Sequence, residues 1–147
     1  MIRRYGPPPI PGTAYRLRPG AYALILRGDR VLLTHQAAPQ PEFQLPGGGI
    51  DPGESALPAL HREVYEETGW TIGAARRIGT YRRFVYMPEY AIHAEKLCGI
   101  WLARAGQRLG PPAERGHSAH FVPRAAVPAL LPDPGARAVV ARWLATV

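Results

Sequence analysis

Two short apolar runs, Ala21 to Leu26 and Val31 to Thr34, flank Arg27-Gly28-Asp29-Arg30, a pattern that predicts a β-hairpin turning at Gly28-Asp29. A third strand-like stretch, Glu42 to Leu45, precedes three consecutive glycines, Gly47 to Gly49. From there the period changes. Leu57, Leu60, Val64 and Thr68 recur at i, i+3, i+7 and i+11, the stripe of an amphipathic helix. Ser55 is its expected N-cap, Pro58 falls in the first turn and Gly69 is the expected C-cap, so the helix is placed over about residues 55–68. Beyond it, Ala75 to Tyr86 and His93 to Ala103 read as two longer strands joined through Met87-Pro88-Glu89-Tyr90, and Ala119 to Val122 as a short one. Ala136 to Thr146 puts Val139, Val140, Trp143 and Leu144 on one side, the pattern of a C-terminal helix capping a sheet. Residues 1–19 form an N-terminal arm whose Pro7 to Pro11 stretch reads either as extended or as a disordered tail. Strands between two helices predict one α/β domain over residues 1–147, a mixed central sheet sandwiched by helices.

The same helix carries a second pattern. Glu63, Glu66 and Glu67 stand at i, i+3 and i+4; with about 100° per residue they share one stripe, next to the apolar one. Like charges at that spacing repel, and anions in the last turn oppose the helix dipole. A structural helix gains nothing from either. A hard cation such as Mg2+, bound by carboxylate oxygens and bridging to phosphate, reverses the sign of both effects. Arg62, one turn before Glu66, is placed to fix that glutamate's rotamer. The glycines ahead of the helix allow close backbone approach to a ligand, and a carbonyl there is a candidate further ligand.

Composition bounds the remainder. The chain has 147 residues, enough for one substantial core, and one cysteine, Cys98, so no internal disulfide forms. There is no signal-peptide pattern and no run of 18 apolar residues, which predicts a soluble cytoplasmic protein away from membranes. Residues 48–70 set Arg62 against five carboxylates, a net of −4 within a chain of net +7, leaving +11 elsewhere. An acidic patch in a basic surround suits a polyphosphate ligand. The basic surplus has a plainer source as well: Lys96 is the only lysine, and abundant Arg, Ala, Gly and Pro are what a GC-rich coding sequence gives. No arginine run is long enough to read as a nucleic-acid tail.

Gly48, Glu54, Arg62, Glu63, Val64, Glu66, Glu67 and Gly69 stand at the spacing of the Nudix box, and the chain resembles the Nudix hydrolases. Trp70 departs from the aliphatic residue usual at its place. The resemblance implies the Nudix α/β/α sandwich and Mg2+-dependent (or Mn2+-dependent) hydrolysis of a diphosphate linkage in a nucleoside diphosphate joined to another group. It implies metal ligation by Glu63, Glu66, Glu67 and the Gly47 carbonyl, and orienting roles for Arg62 and Glu54. The proton acceptor is either a box glutamate or a downstream one, here Glu114. His117 and His120, in the same region, read as surface or packing residues. Relatives that cleave RNA 5′ ends or oxidised nucleotides share the box, as do nucleotide-sensing modules without turnover; retention of all four box glutamates disfavours the last. Many relatives pair as homodimers.

For the small-molecule nucleotide substrate, Arg82, Arg83 and Tyr86, with Tyr81 and Phe84, form a candidate cluster that grips phosphate and stacks a base. Strand alternation puts only one of the two arginines on the cleft side.

Overall fold

A computed structural model describes residues 1–147 and contains eight strands and three α-helices. In chain order these are β1 (Arg3–Arg4), β2 (Arg16–Arg27), β3 (Arg30–Gln36), β4 (Glu42–Gln44), β5 (Gly47–Gly49), α1 (Ala56–Thr68), β6 (Trp70–Met87), β7 (Ile92–Arg108), β8 (His117–Pro123), α2 (Val127–Leu130) and α3 (Pro134–Leu144). The sheet runs β1-β6-β7-β2-β3-β4, with β5 also paired to β2 and β8 to β3. It is mixed: β2 lies parallel to β7 from Arg16↔Ala94 to Leu26↔Arg104, and antiparallel to β3 and β5.

The central strands are buried on both faces, so their sequence reads as a continuous apolar run rather than an alternation. Ala21, Ala23 and Ile25 of β2 and Leu32 of β3 face Leu60 and Val64 of α1, with Ile72 and Ala103. Leu24, Val31 and Leu33 point the other way, into a core shared with Tyr81, Ile100, Leu131, Val139 and Val140 under α2 and α3. The sheet is thus covered by α1 on one face and by the C-terminal helices on the other.

Several boundaries differ from the sequence expectation: β6 begins at Trp70 rather than Ala75 and β7 runs to Arg108 rather than Ala103, because the two strands pair as far as Trp70↔Arg108, and β8 begins at His117 rather than Ala119, where it pairs with Gln36. The N-terminal arm ends at residue 15, because Arg16 to Gly20 pair with Ala94 to Cys98 of β7; Pro19 and Gly20 hide that strand from a local reading. Arg3 and Arg4 also pair, parallel to Tyr81 and Arg82 at the edge of β6. The last helix starts two residues earlier, at Pro134, where Asp133 is the N-cap and accepts from the Gly135 amide at 3.1 Å, the usual place for a helical proline. The short α2 had no sequence signal.

Helix α1 follows its expected range. Ser55 takes the extended N-cap conformation without a side-chain cap bond, and Gly69 closes the helix at φ 76°, its amide donating to the Tyr65 carbonyl. Its buried side is rotated from the predicted stripe: Leu57 is 39% exposed, whereas Ala59 and Glu67 join Leu60, Val64 and Thr68 inside. The small residue at 59 lets the helix backbone approach the sheet, and the carboxylate stripe is drawn to the edge of the buried one. This difference is measurable. Leu60→Ala should lower unfolding stability by about 2–5 kcal/mol and Leu57→Ala by well under about 1 kcal/mol in urea denaturation; equal losses would mean that α1 is seated on the predicted stripe.

Candidate functional site

Strand β5 is where α1 and the sheet meet. Its three residues lie against β2 at Gly20↔Gly49, Ala21↔Gly48 and Tyr22↔Gly47. A Cβ on Gly47, at φ 150°, would lie 2.2 Å from the Ala21 carbonyl oxygen, and one on Gly48 2.6 Å from Cδ of Glu63. Only glycine leaves room for the strand and the glutamate together. The Gly47 amide donates to Oε1 of Glu67 at 2.8 Å. Gly47, whose carbonyl the resemblance implies as a ligand, thus also meets the cluster through its N–H. Burial pushes the Glu67 carboxyl up to about 8, opposed by the Gly47 hydrogen bond and reinforced by Glu114, Glu63 and Glu66. Glu63 is also raised by burial, with Arg62 working against the shift.

Arg62 gathers the other carboxylates. Its Nη2 and Nε donate to the two oxygens of Glu54 at 2.8 and 3.0 Å, and its Nη1 donates to Glu63 at 3.0 Å. Glu66 at 3.5 Å and Asp51 at 3.6 Å complete the shell. One guanidinium thus meets four carboxylates. Its hydrogen bonds to Glu54 raise the Arg62 pKa further, and the same bonds hold Glu54 below the usual carboxylate range. Glu54 also caps its own loop by accepting from the Asp51 amide at 2.9 Å.

The loop before β8 closes the other side. The amides of Ala113 and Glu114 both donate to the Glu66 carbonyl at 2.9 Å, satisfying an orphan acceptor in the last turn of α1. This brings Glu114 to the box helix from 48 positions further along the chain. His117, whose side chain is 12% exposed, lies 3.8 Å from both Glu67 and Glu114, and its Nδ1 is 3.1 Å from Oγ1 of Thr34. Ligand atoms of Glu67, Glu114 and His117 fall within 4.8 Å of one another. His117 is therefore part of the cluster rather than a surface or packing residue; its spacing of i+3 from Glu114 was the available signal. His120 instead sits beside Ser118, at 2.8 Å, on an exposed edge. The donor set is carboxylate oxygen with one imidazole, and the glycine cradle leaves no room for a side chain; both fit a hard divalent cation.

A cavity of about 470 Å3 opens on the opposite face of β5, lined by Tyr22, Phe43, Gly47, Arg83, Lys96 and Asp133 among others. The two strand arginines are separated by it. Arg83 lines the cavity and pairs with Asp133 at 3.3 Å, whereas Arg82 lies on the other face beside Glu95 at 3.5 Å. Tyr86 is 53% exposed and packs on His93 outside this cavity. Tyr81 is buried and donates to Asp133, so it supports the wall rather than offering a ring for stacking.

No helix is long and apolar enough to cross a membrane. Among curated proteins, the chain is 35% identical over 80 residues to a Bacillus subtilis protein named as a candidate 8-oxo-dGTP diphosphatase, covering 54% of each. It is 36% identical over 76 residues to an RNA pyrophosphohydrolase of Legionella pneumophila, covering 52% of this chain and 42% of that one. The chain thus spans about half the length of these relatives. Among solved structures, a NUDIX hydrolase from Nitrosomonas europaea superposes with a TM-score of 0.70 at 20% identity, over 89% of this chain and 90% of that one. A MutT protein from Bacillus halodurans gives 0.68 at 22%, over 84% and 79%. These likenesses support the fold. The NUDIX domain family matches residues 16–144, nearly all of the sheet and every box residue described above, and the chain belongs to that family.

Proposed function

We propose that this chain hydrolyses the diphosphate linkage of a nucleoside diphosphate joined to another group, with Mg2+ (or Mn2+) bound at Glu63, Glu66 and Glu67. The observation that carries the reading is convergence: the box helix, the glycine strand and the loop of Glu114 and His117 bring their polar groups to one point, and an open cavity lies across the glycine strand from it. A bound cation there would neutralise phosphate oxygens and lower the pKa of a water. The chain's own residues do the rest. Backbone at Gly47 to Gly49 admits the phosphates closely, Arg62 and Glu54 hold Glu63 and Glu66 in place, and Glu114 takes the proton of the attacking water. Oxygen of that water bonds to phosphorus, the bridging P–O bond breaks, and the displaced phosphate leaves with the electron pair. Glu114 suits the role because its side chain is 46% exposed yet its loop is pinned to α1. Action on RNA 5′ ends or oxidised nucleotides, favoured by the names of the relatives, is the second reading.

Screening nucleotide sugars, ADP-ribose, dinucleoside polyphosphates and oxidised triphosphates with Mg2+ or Mn2+, with release of phosphate products as the readout, tests the activity. Glu66→Gln and Glu67→Gln should each cut metal-dependent turnover by about 10²-fold or more while circular dichroism stays unchanged. Full activity in either would move the metal elsewhere. Glu114→Gln should lower kcat by about 10²–10⁴-fold with the metal concentration for half-activity unchanged. A rise in that concentration with kcat intact would make Glu114 a ligand instead.

The burial of Glu67 has a pH consequence. Its folded-state pKa is raised from 4.5 to about 8, so the folded protein holds this proton more tightly than the unfolded chain. The resulting stability is fully present below 4.5 and is lost as pH rises through about 8. Thermal melts in EDTA should show that decline, and Glu67→Gln should flatten it. A cation bound by the Glu67 carboxylate would compete with that proton, so stabilisation by added Mg2+ should grow with pH over the same window.

A further inference from the structure

The one lysine of the chain is the centre of a row that neither the box nor the carboxylate cluster uses. Lys96 on β7 is the register partner of Arg18 on β2 and of Arg83 on β6. Register partners on adjacent strands, about 4.8 Å apart, project from the same face. Three cations therefore stand side by side across three strands. Like charges placed directly opposite destabilise a sheet. The outer two relieve the repulsion by leaning outward: Arg83 reaches Asp133 at 3.3 Å, and the Arg18 guanidinium lies 4.8 Å from the centre of the Tyr90 ring. Lys96 between them is half-buried and makes neither an ion pair nor a side-chain hydrogen bond.

The row has a place as well as a charge. Arg83 and Lys96 line the cavity of about 470 Å3, and Lys96 and Arg18 line a smaller one of about 200 Å3 whose floor includes Gly20, Gly48 and Gly49. Lys96 borders both. The row thus runs from the cavity to the glycine strand whose other side carries Glu63 and Glu67. Glu89, at the tip of the β6–β7 hairpin, is the one carboxylate bordering both cavities, and it makes no ion pair. A half-buried lysine between two arginines, with an open groove in front, makes no ion pair. No side chain pairs with it, and an anionic ligand in the groove would fit the row.

We propose that Arg18, Lys96 and Arg83 form a phosphate rail that holds an anionic group of the substrate beyond the diphosphate engaged at the carboxylate cluster. The favoured substrates then carry three or more consecutive phosphates, as in a nucleoside triphosphate, over those whose diphosphate is joined to a neutral sugar. This rests on the hydrolase reading above. Lys96 and Arg18 are specificity-determining residues in it, with no part in moving the proton.

Two measurements separate the rail from the hydrolase reading. The first needs no turnover: calorimetric titration of metal-free protein with inorganic tripolyphosphate and with pyrophosphate. Tripolyphosphate should bind more tightly, Lys96→Gln and Arg18→Gln should each weaken it by about tenfold or more, and Lys96→Arg should restore it. Equal affinity for the two anions, or binding unmoved by the Gln variants at unchanged melting temperature, would overturn the rail. The second is kcat/KM with Mg2+ for a nucleoside triphosphate against ADP-ribose. In Lys96→Gln the triphosphate value should fall about tenfold more than the ADP-ribose value, through KM. A parallel loss on both would overturn the assignment. If the wild-type protein turns over none of the nucleotides in the screen above but still binds tripolyphosphate through Lys96, the rail stands and the hydrolase reading fails.

Discussion

Glu67 is 6% exposed and takes its one close hydrogen bond from a backbone amide, that of Gly47 at 2.8 Å. A carboxylate so placed is held in a medium that disfavours its charge, with three more carboxyls nearby to disfavour it further. Everything around it is arranged about that constraint. The glycine strand has no side chains because Glu63 and the β2 backbone occupy the space where they would be. Helix α1 ends at Gly69, whose turn delivers the chain directly into β6. Beside Glu67, the last-turn carbonyl of Glu66 anchors the downstream loop. Fold and site are one problem here.

Arg62 explains how the remaining negative charge is tolerated. Its five donors in a planar fork let it serve several carboxylates at once, which a lysine ammonium on a flexible stem does less well. With side chain 33% exposed it is no buried ion pair, and its worth lies in geometry more than in stability. Glu54 and Glu63 are held at about 3 Å from it. The carboxylates are in this way split between two companions, the arginine on the solvent side and His117 on the inner side.

Local periodicity was enough to read α1, the β2–β3 hairpin and both long strands, because each rests on contacts close in sequence. The box residues were legible for a related reason: their spacing on one helix already states their geometry. What remained hidden depends on pairings that no local pattern records. Pro19 and Gly20 look like strand breakers until β7 lies beside them. His117 looks like a loop residue until the amides of Ala113 and Glu114 fold its loop onto Glu66. Lys96, taken alone, is a strand residue beside Glu95. Its meaning comes from Arg18 and Arg83, 78 and 13 positions away in the chain and adjacent in the sheet.

The arm that lays Arg3 and Arg4 along β6 has its own physical consequence. A strand as long as β6 with a bare outer edge would present a row of unpaired amides and carbonyls to any other extended chain. Two arginines, followed by a segment with Pro7, Pro8, Pro9 and Pro11, end the pairing with residues that repel a second copy or cannot donate to it. The arm therefore occupies the β6 edge at Tyr81 and Arg82, and its prolines stop the added strand from growing into a longer ladder there.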